Sequence, residues 1–111
     1  MTPMDLQIEI ATTDYNLVLE LMNAKESRVG TTNSILPGIT LRLDRQTLFE
    51  AMGTPDIIAF TVSIGKDIAV GVFSAWLYDK LKNRASKLKV KDNAVPIDKK
   101  AIDQAFTVAV T

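Results

Sequence analysis

The sequence predicts an α+β fold: a small, mostly antiparallel sheet packed on helices, in the order β-α-β-α-α-β-β-α with the fifth element long. Three observations predict it. Apolar and polar residues alternate strictly over residues 6–10 and 39–43, the period of a half-buried strand. A strong helix-start signal at Thr54-Pro55-Asp56 opens an apolar run that nothing stops until about Asn83. A second alternating pair over residues 88–97 is followed by an acidic helix cap at Asp98. With 111 residues there is room for one domain of ordinary size, and the whole chain, 1–111, is assigned to it.

Leu6, Ile8 and Ile10 alternate with Gln7 and Glu9 and form the first strand. Thr12, Thr13 and Asp14 are each able to cap a helix over residues 14–25, whose inward face is Leu17, Val18, Leu21 and Met22. A strand through Leu17, Leu19 and Leu21 is the alternative. Residues 26–37 are rich in turn formers and read as a long loop, either mobile or ligand-binding. Ile39, Leu41 and Leu43 give the second strand. Asp44 then caps a short helix carrying Leu48, Phe49 and Met52, with Gly53 at its left-handed exit.

The long helix is assigned to about residues 55–83. Thr54 caps it, Pro55 occupies its first position, and Asp56 sits where the dipole favours an acid; Lys80, Lys82 and Arg84 close it. Gly65 and Gly71 each cost roughly 1 kcal/mol inside it. Such a helix is about 44 Å long. A domain of this size has a diameter of only about 34 Å. Ser63, Asp67 and Ser74, with Lys66 at the margin, make one narrow polar stripe; the rest of the circumference is apolar. A helix apolar nearly all round must be surrounded, by its own core, by a second copy, by another protein or by lipid. Gly71 and Ala75 permit a close helix crossing, inside the chain or between chains. The candidate interface is accordingly Ile64, Ile68, Gly71, Val72, Ala75 and Trp76.

Beyond that helix, a two-residue turn at Asp92-Asn93 pairs Val90 with Val95 and Leu88 with Ile97 on one face, with Pro96 at an edge position. Asp98 caps a last helix with Ile102, Ala105 and Phe106 inward and a hydrophobic staple between Ile97 and Ile102.

Composition closes off much chemistry. There is no cysteine and no histidine, hence no disulfide, no thiolate or imidazole metal ligand and no histidine-based triad. No cofactor or metal site is expected. Asp92, Asp98 and Asp103 supply carboxyl groups, but turn and cap roles account for the first two. The string Ser63-Ile64-Gly65-Lys66-Asp67 resembles part of a phosphate loop, yet it lacks the motif's first glycine and its strand-to-helix setting. Lys66-Asp67 is either the wet side of the helix or a buried pair fixing register with a partner. No catalytic residue is assigned, and the expectation is a protein that is not an enzyme.

Charge points the same way. Thirteen bases balance thirteen acids, which argues against a dedicated nucleic-acid binder. Residues 1–61 carry a net −4 and the remainder +4, an asymmetry suited to orienting a partner unless folding interleaves it. The lysines of residues 80–91 form a basic ridge, either a solvated edge or a contact for acidic lipid or nucleic acid. The apolar runs 57–65 and 68–78 fall short of the roughly 20 residues that span a bilayer, so a membrane role would be peripheral. Met1-Thr2-Pro3-Met4-Asp5 lacks the basic and apolar regions of a secretory signal, and a cytoplasmic location is expected.

The layout resembles the effector-associated constant components, small proteins of bacterial conflict systems. The likeness lies in an opening strand and helix, the Met52-Gly53 step, a long apolar helix closing near Ser74-Ala75-Trp76-Leu77, a basic hairpin, and the helix capped by Asp98. It departs in the interior Lys66-Asp67 and in a hairpin turn without glycine. The resemblance implies a non-enzymatic adaptor or partner in defence, toxin or phage systems and carries no catalytic residue over. The surplus apolar circumference of residues 57–78 adds the expectation of binding another protein or itself through the long helix, an immunity or inhibitor protein being one concrete form.

Overall fold

The structure, a computed structural model, describes residues 4–26, 28–47, 54–65 and 70–110. Its elements are β1 (Met4–Thr12), α1 (Tyr15–Met22), β2 (Thr32–Leu36), β3 (Ile39–Thr47), β4 (Asp56–Ile64), α2 (Val70–Leu81), β5 (Ala85–Val90), β6 (Asn93–Val95) and α3 (Lys99–Val110). The six strands form one sheet in the order β2-β3-β4-β1-β5-β6, every neighbour antiparallel. This is the expected α+β class, with an order that differs in the middle of the chain.

That difference is the main correction. Residues 55–83 are not one helix. Asp56–Ile64 is a strand between β3 and β1, with Thr12 opposite Asp56 and Met4 opposite Ile64. The described helix runs from Val70 to Leu81, with Asn83 beyond it in the left-handed region at φ 62°. The physical reason is the alternation of Ile58, Phe60, Val62 and Ile64, each at most 3% exposed, with Ala59, Thr61 and Ser63 on the other face. On the open face Ile57 and Ala59 are half-buried among neighbouring side chains, so the run shows little polarity in sequence. Lys66, Asp67 and Ile68 lie outside the described residues.

Other expectations shift by less. α1 ends at Met22 rather than residue 25, because Asn23 takes the left-handed conformation and its N–H caps the Glu20 and Leu19 carbonyls; Asp14 is the N-cap, and the four anticipated residues are buried. Within 26–37 the structure places β2, turned into β3 at Pro37-Gly38 with Gly38 at φ 81°. Asp44 lies in β3, not at a helix cap; Leu48, Phe49, Met52 and Gly53 are outside the described residues. The last hairpin turns one residue early, at Lys91-Asp92, with φ of 51° and 68°. Val90 therefore pairs with Asn93 and Leu88 with Val95. Both registers keep the apolar residues on one face, so alternation alone cannot choose between them. Asp98 caps α3 as expected, its Oδ2 accepting from the Ala101 N–H at 3.0 Å, with Ile102 and Phe106 fully buried.

One apolar cluster joins the inward faces of β1, β3, β4 and β5 to Leu17, Leu21, Phe73, Leu77, Ile102 and Phe106 of the helices. The helices thus cover one face of the sheet, and the other face stays open.

Candidate interaction surface

α2 turns Phe73, Ser74, Leu77 and Leu81 into the core. The Ser74 hydroxyl is satisfied by donating to the Val70 carbonyl at 3.0 Å. Phe73 meets the Phe106 ring edge-on at 4.9 Å and lies nearly parallel to Trp76 at 6.1 Å between centroids. The outer side of the helix carries Gly71, Val72, Ala75 and Asp79; Val72 is 58% exposed. Where α2 crosses α3, an open groove of about 520 Å³ is lined by Gly71, Ser74, Ala75, Asp98, Lys99, Lys100 and Asp103.

The six residues expected to share one interface separate accordingly. Gly71, Val72, Ala75 and Trp76 are brought together on α2, with Ala75 and Trp76 half-buried. Ile64 is not with them: it ends β4, opposite Met4 and Ile39, and is sealed in the core at 3% exposure. Ile68 lies outside the described residues. The small residue at Gly71 is met by this chain's own α3, since a Cβ there would have Asp103 Oδ1 at 3.6 Å, an ordinary contact.

The basic ridge also divides. Lys87 and Lys89 lie on the open face of β5, with Lys89 opposite Glu9. Lys82 sits on the helical side, paired with Asp79 at 3.3 Å and 5.9 Å from the centre of the Tyr78 ring. Arg84 turns inward: its Nε donates to Asp14 Oδ2 at 2.8 Å and its Nη1 to Glu20 Oε2 at 2.5 Å. Those hydrogen bonds hold both carboxyls below their ordinary values and raise the arginine. The −4 and +4 halves of the chain are therefore folded against each other.

Sequence reasoning missed a polar cluster on the open face. Thr61, 5% exposed, donates its hydroxyl to Asp44 and accepts from Arg42 Nη2 at 3.2 Å, while Arg42 Nε donates to Asp44 Oδ1 at 2.8 Å. The Asp44 carboxylate raises the Arg42 pKa. Ser63 Oγ donates to Asp5 Oδ1 at 2.7 Å nearby. Reading 58–64 as a strand would have aligned Thr61 and Ser63 on one face. The Thr61 hydroxyl, Arg42 guanidinium and Asp44 carboxylate bond to one another, and no group of carboxylates suited to a metal occurs among the described residues. Nor is any described helix long and apolar enough to cross a membrane.

No family model, curated protein or solved structure matches the chain.

Proposed function

We propose that this chain is a small non-enzymatic interaction protein, of the immunity, inhibitor or adaptor kind found in bacterial and phage conflict systems. It binds a protein partner through the outer side of α2. The observation that carries this reading is the apolar, small-residue strip Gly71, Val72 and Ala75 beside Trp76, open to a groove on its α3 flank. Isolated exposed valines are ordinary. One set among small residues at a groove offers a partner side chain both contact area and room. Balanced charge and the closed polar network on the sheet favour binding over chemistry.

A photo-reactive phenylalanine analogue placed at Val72, in cells of the native host, tests the reading. A discrete heavier adduct is expected from that position and none from Lys89 on the open sheet face. Ala75→Arg should abolish the adduct. No adduct at Val72, or the same products from both positions, overturns the assignment.

A further inference from the structure

The two edges of the sheet are guarded unequally. β6 has three residues, follows Lys91 and Asp92, and is ended by Pro96, whose missing N–H stops a ladder. β2 has five residues, Thr-Asn-Ser-Ile-Leu, with no charge and no proline. The Leu43 N–H donates to the Thr31 carbonyl at 2.9 Å, and Asn33 pairs with Leu41. Alternate residues of an antiparallel strand bond to opposite sides, so the N–H and C=O of Thr32 and Ser34 point off the edge of the sheet. The side chains of Thr32 and Ser34 are exposed, while Asn33 Nδ2 is held by the Leu21 carbonyl at 2.9 Å. Val29, just before the strand, is 60% exposed; Ile35 and Leu36 at its other end are half-buried.

We propose that a second copy of this chain pairs with that edge, β2 against β2, antiparallel about a two-fold axis at Asn33. In this register Thr32 of each copy lies opposite Ser34 of the other and exchanges both backbone bonds with it. Their hydroxyls meet on the open face. The ladder between the copies is confined to Thr32–Ser34, because Val29 and Gly30 before it form a turn in which the Thr31 N–H donates to the Arg28 carbonyl at 3.1 Å. The pairing brings no like charges together, because the strand has none. It is isologous and closes at two, whereas β2 against β6 would be head-to-tail and would set Pro96 in the ladder. The register shift between Ser34 and Leu36 leaves the paired stretch regular.

The test is the mass of the intact chain in solution by light scattering and sedimentation over a concentration series. The native chain should approach twice 12.2 kDa. Ser34→Pro removes an outward N–H without touching the β2–β3 ladder and should return the monomer mass with an unchanged circular-dichroism spectrum. Thr32→Lys should do the same by charge and decides the matter if the proline variant fails to fold. Ala94→Lys, on β6, should leave the dimer intact. A native chain that stays monomeric throughout, or a dimer that survives Thr32→Lys or is dissolved by Val72→Arg instead, overturns the proposal. The mass is independent of the α2 cross-link, so the two readings fail separately.

Discussion

β4 and α2 are successive apolar runs of similar composition, and the fold uses them in opposite ways. β4 lies inside the sheet: Ile58, Phe60, Val62 and Ile64 enter the core, and on the open face Thr61 is 5% exposed beneath the Arg42 and Asp44 side chains that bond it. α2 lies on the sheet and buries one side only, so Val72 stays 58% exposed although Phe73, next to it, is fully enclosed. Hydrophobicity per residue does not separate these fates. Period does, together with the number of neighbours each element has.

The largest expected effect sharpens that contrast. Phe60→Ala removes a ring that is 1% exposed in β4 and should cost about 3–5 kcal/mol in urea unfolding. Val72→Ala, on the outer ridge of α2, should stay within about 0.5 kcal/mol. Equal losses from the two substitutions would mean that the ridge is covered in solution. Trp76→Ala falls between them. The ring is half-buried and lies along Phe73, so about 2 kcal/mol is expected by the same measurement. A loss as large as that at Phe60 would place the indole inside an interface.

The same contrast explains what was legible in the sequence. β1 and α3 announce themselves, because each has one buried face, a clean period and alternating neighbours or a capping aspartate; α1 has its capping aspartate, while its period also admits a strand through Leu17, Leu19 and Leu21. β4 does not. Its run of Ile57-Ile58-Ala59-Phe60-Thr61-Val62 is apolar on both faces, and the Thr54-Pro55-Asp56 start signal suits a helix as well as a strand entry. Extending a helix back through it carried Ile64 onto a surface it does not share and created a perimeter too greasy for one chain. β2 was hidden by its polar residues, Thr32, Asn33 and Ser34; the Pro37-Gly38 pair, a turn signal directly before an alternating strand, was the available clue. Gly71, Val72, Ala75 and Trp76 still fall together on one helix, because they are close enough in sequence for helical spacing alone to group them.

Arg84 ties the end of α2 to α1 and so tests the layer that β4 does not reach. Asp14 and Glu20 are held below their ordinary values of 3.8 and 4.5 by hydrogen bonds from Arg84. A carboxyl whose folded pKa is depressed contributes stability above its unfolded pKa, and that contribution fades as pH falls through the folded value. Melting temperature should therefore drop as the solution is acidified below about 4.5, and Arg84→Met should show a shallower drop in that window as well as a lower melting temperature at neutral pH. Parallel pH curves for the two proteins would show that the guanidinium does not set the acid response.

The smallest effect has the opposite sign. Gly71 lies in α2, and among the described residues a methyl group there would meet Asp103 Oδ1 at 3.6 Å. Nothing in that geometry requires glycine. Gly71→Ala should stabilise the chain by about 0.5 kcal/mol, the lower part of the range for a glycine replaced inside a helix. Glycine would be retained at this point for room, not for conformation. The substitution should therefore raise the unfolding midpoint and weaken the Val72 cross-link together. If the midpoint rises and the cross-link keeps its full yield, the partner does not approach over Gly71 and the contact is confined to Val72, Ala75 and Trp76.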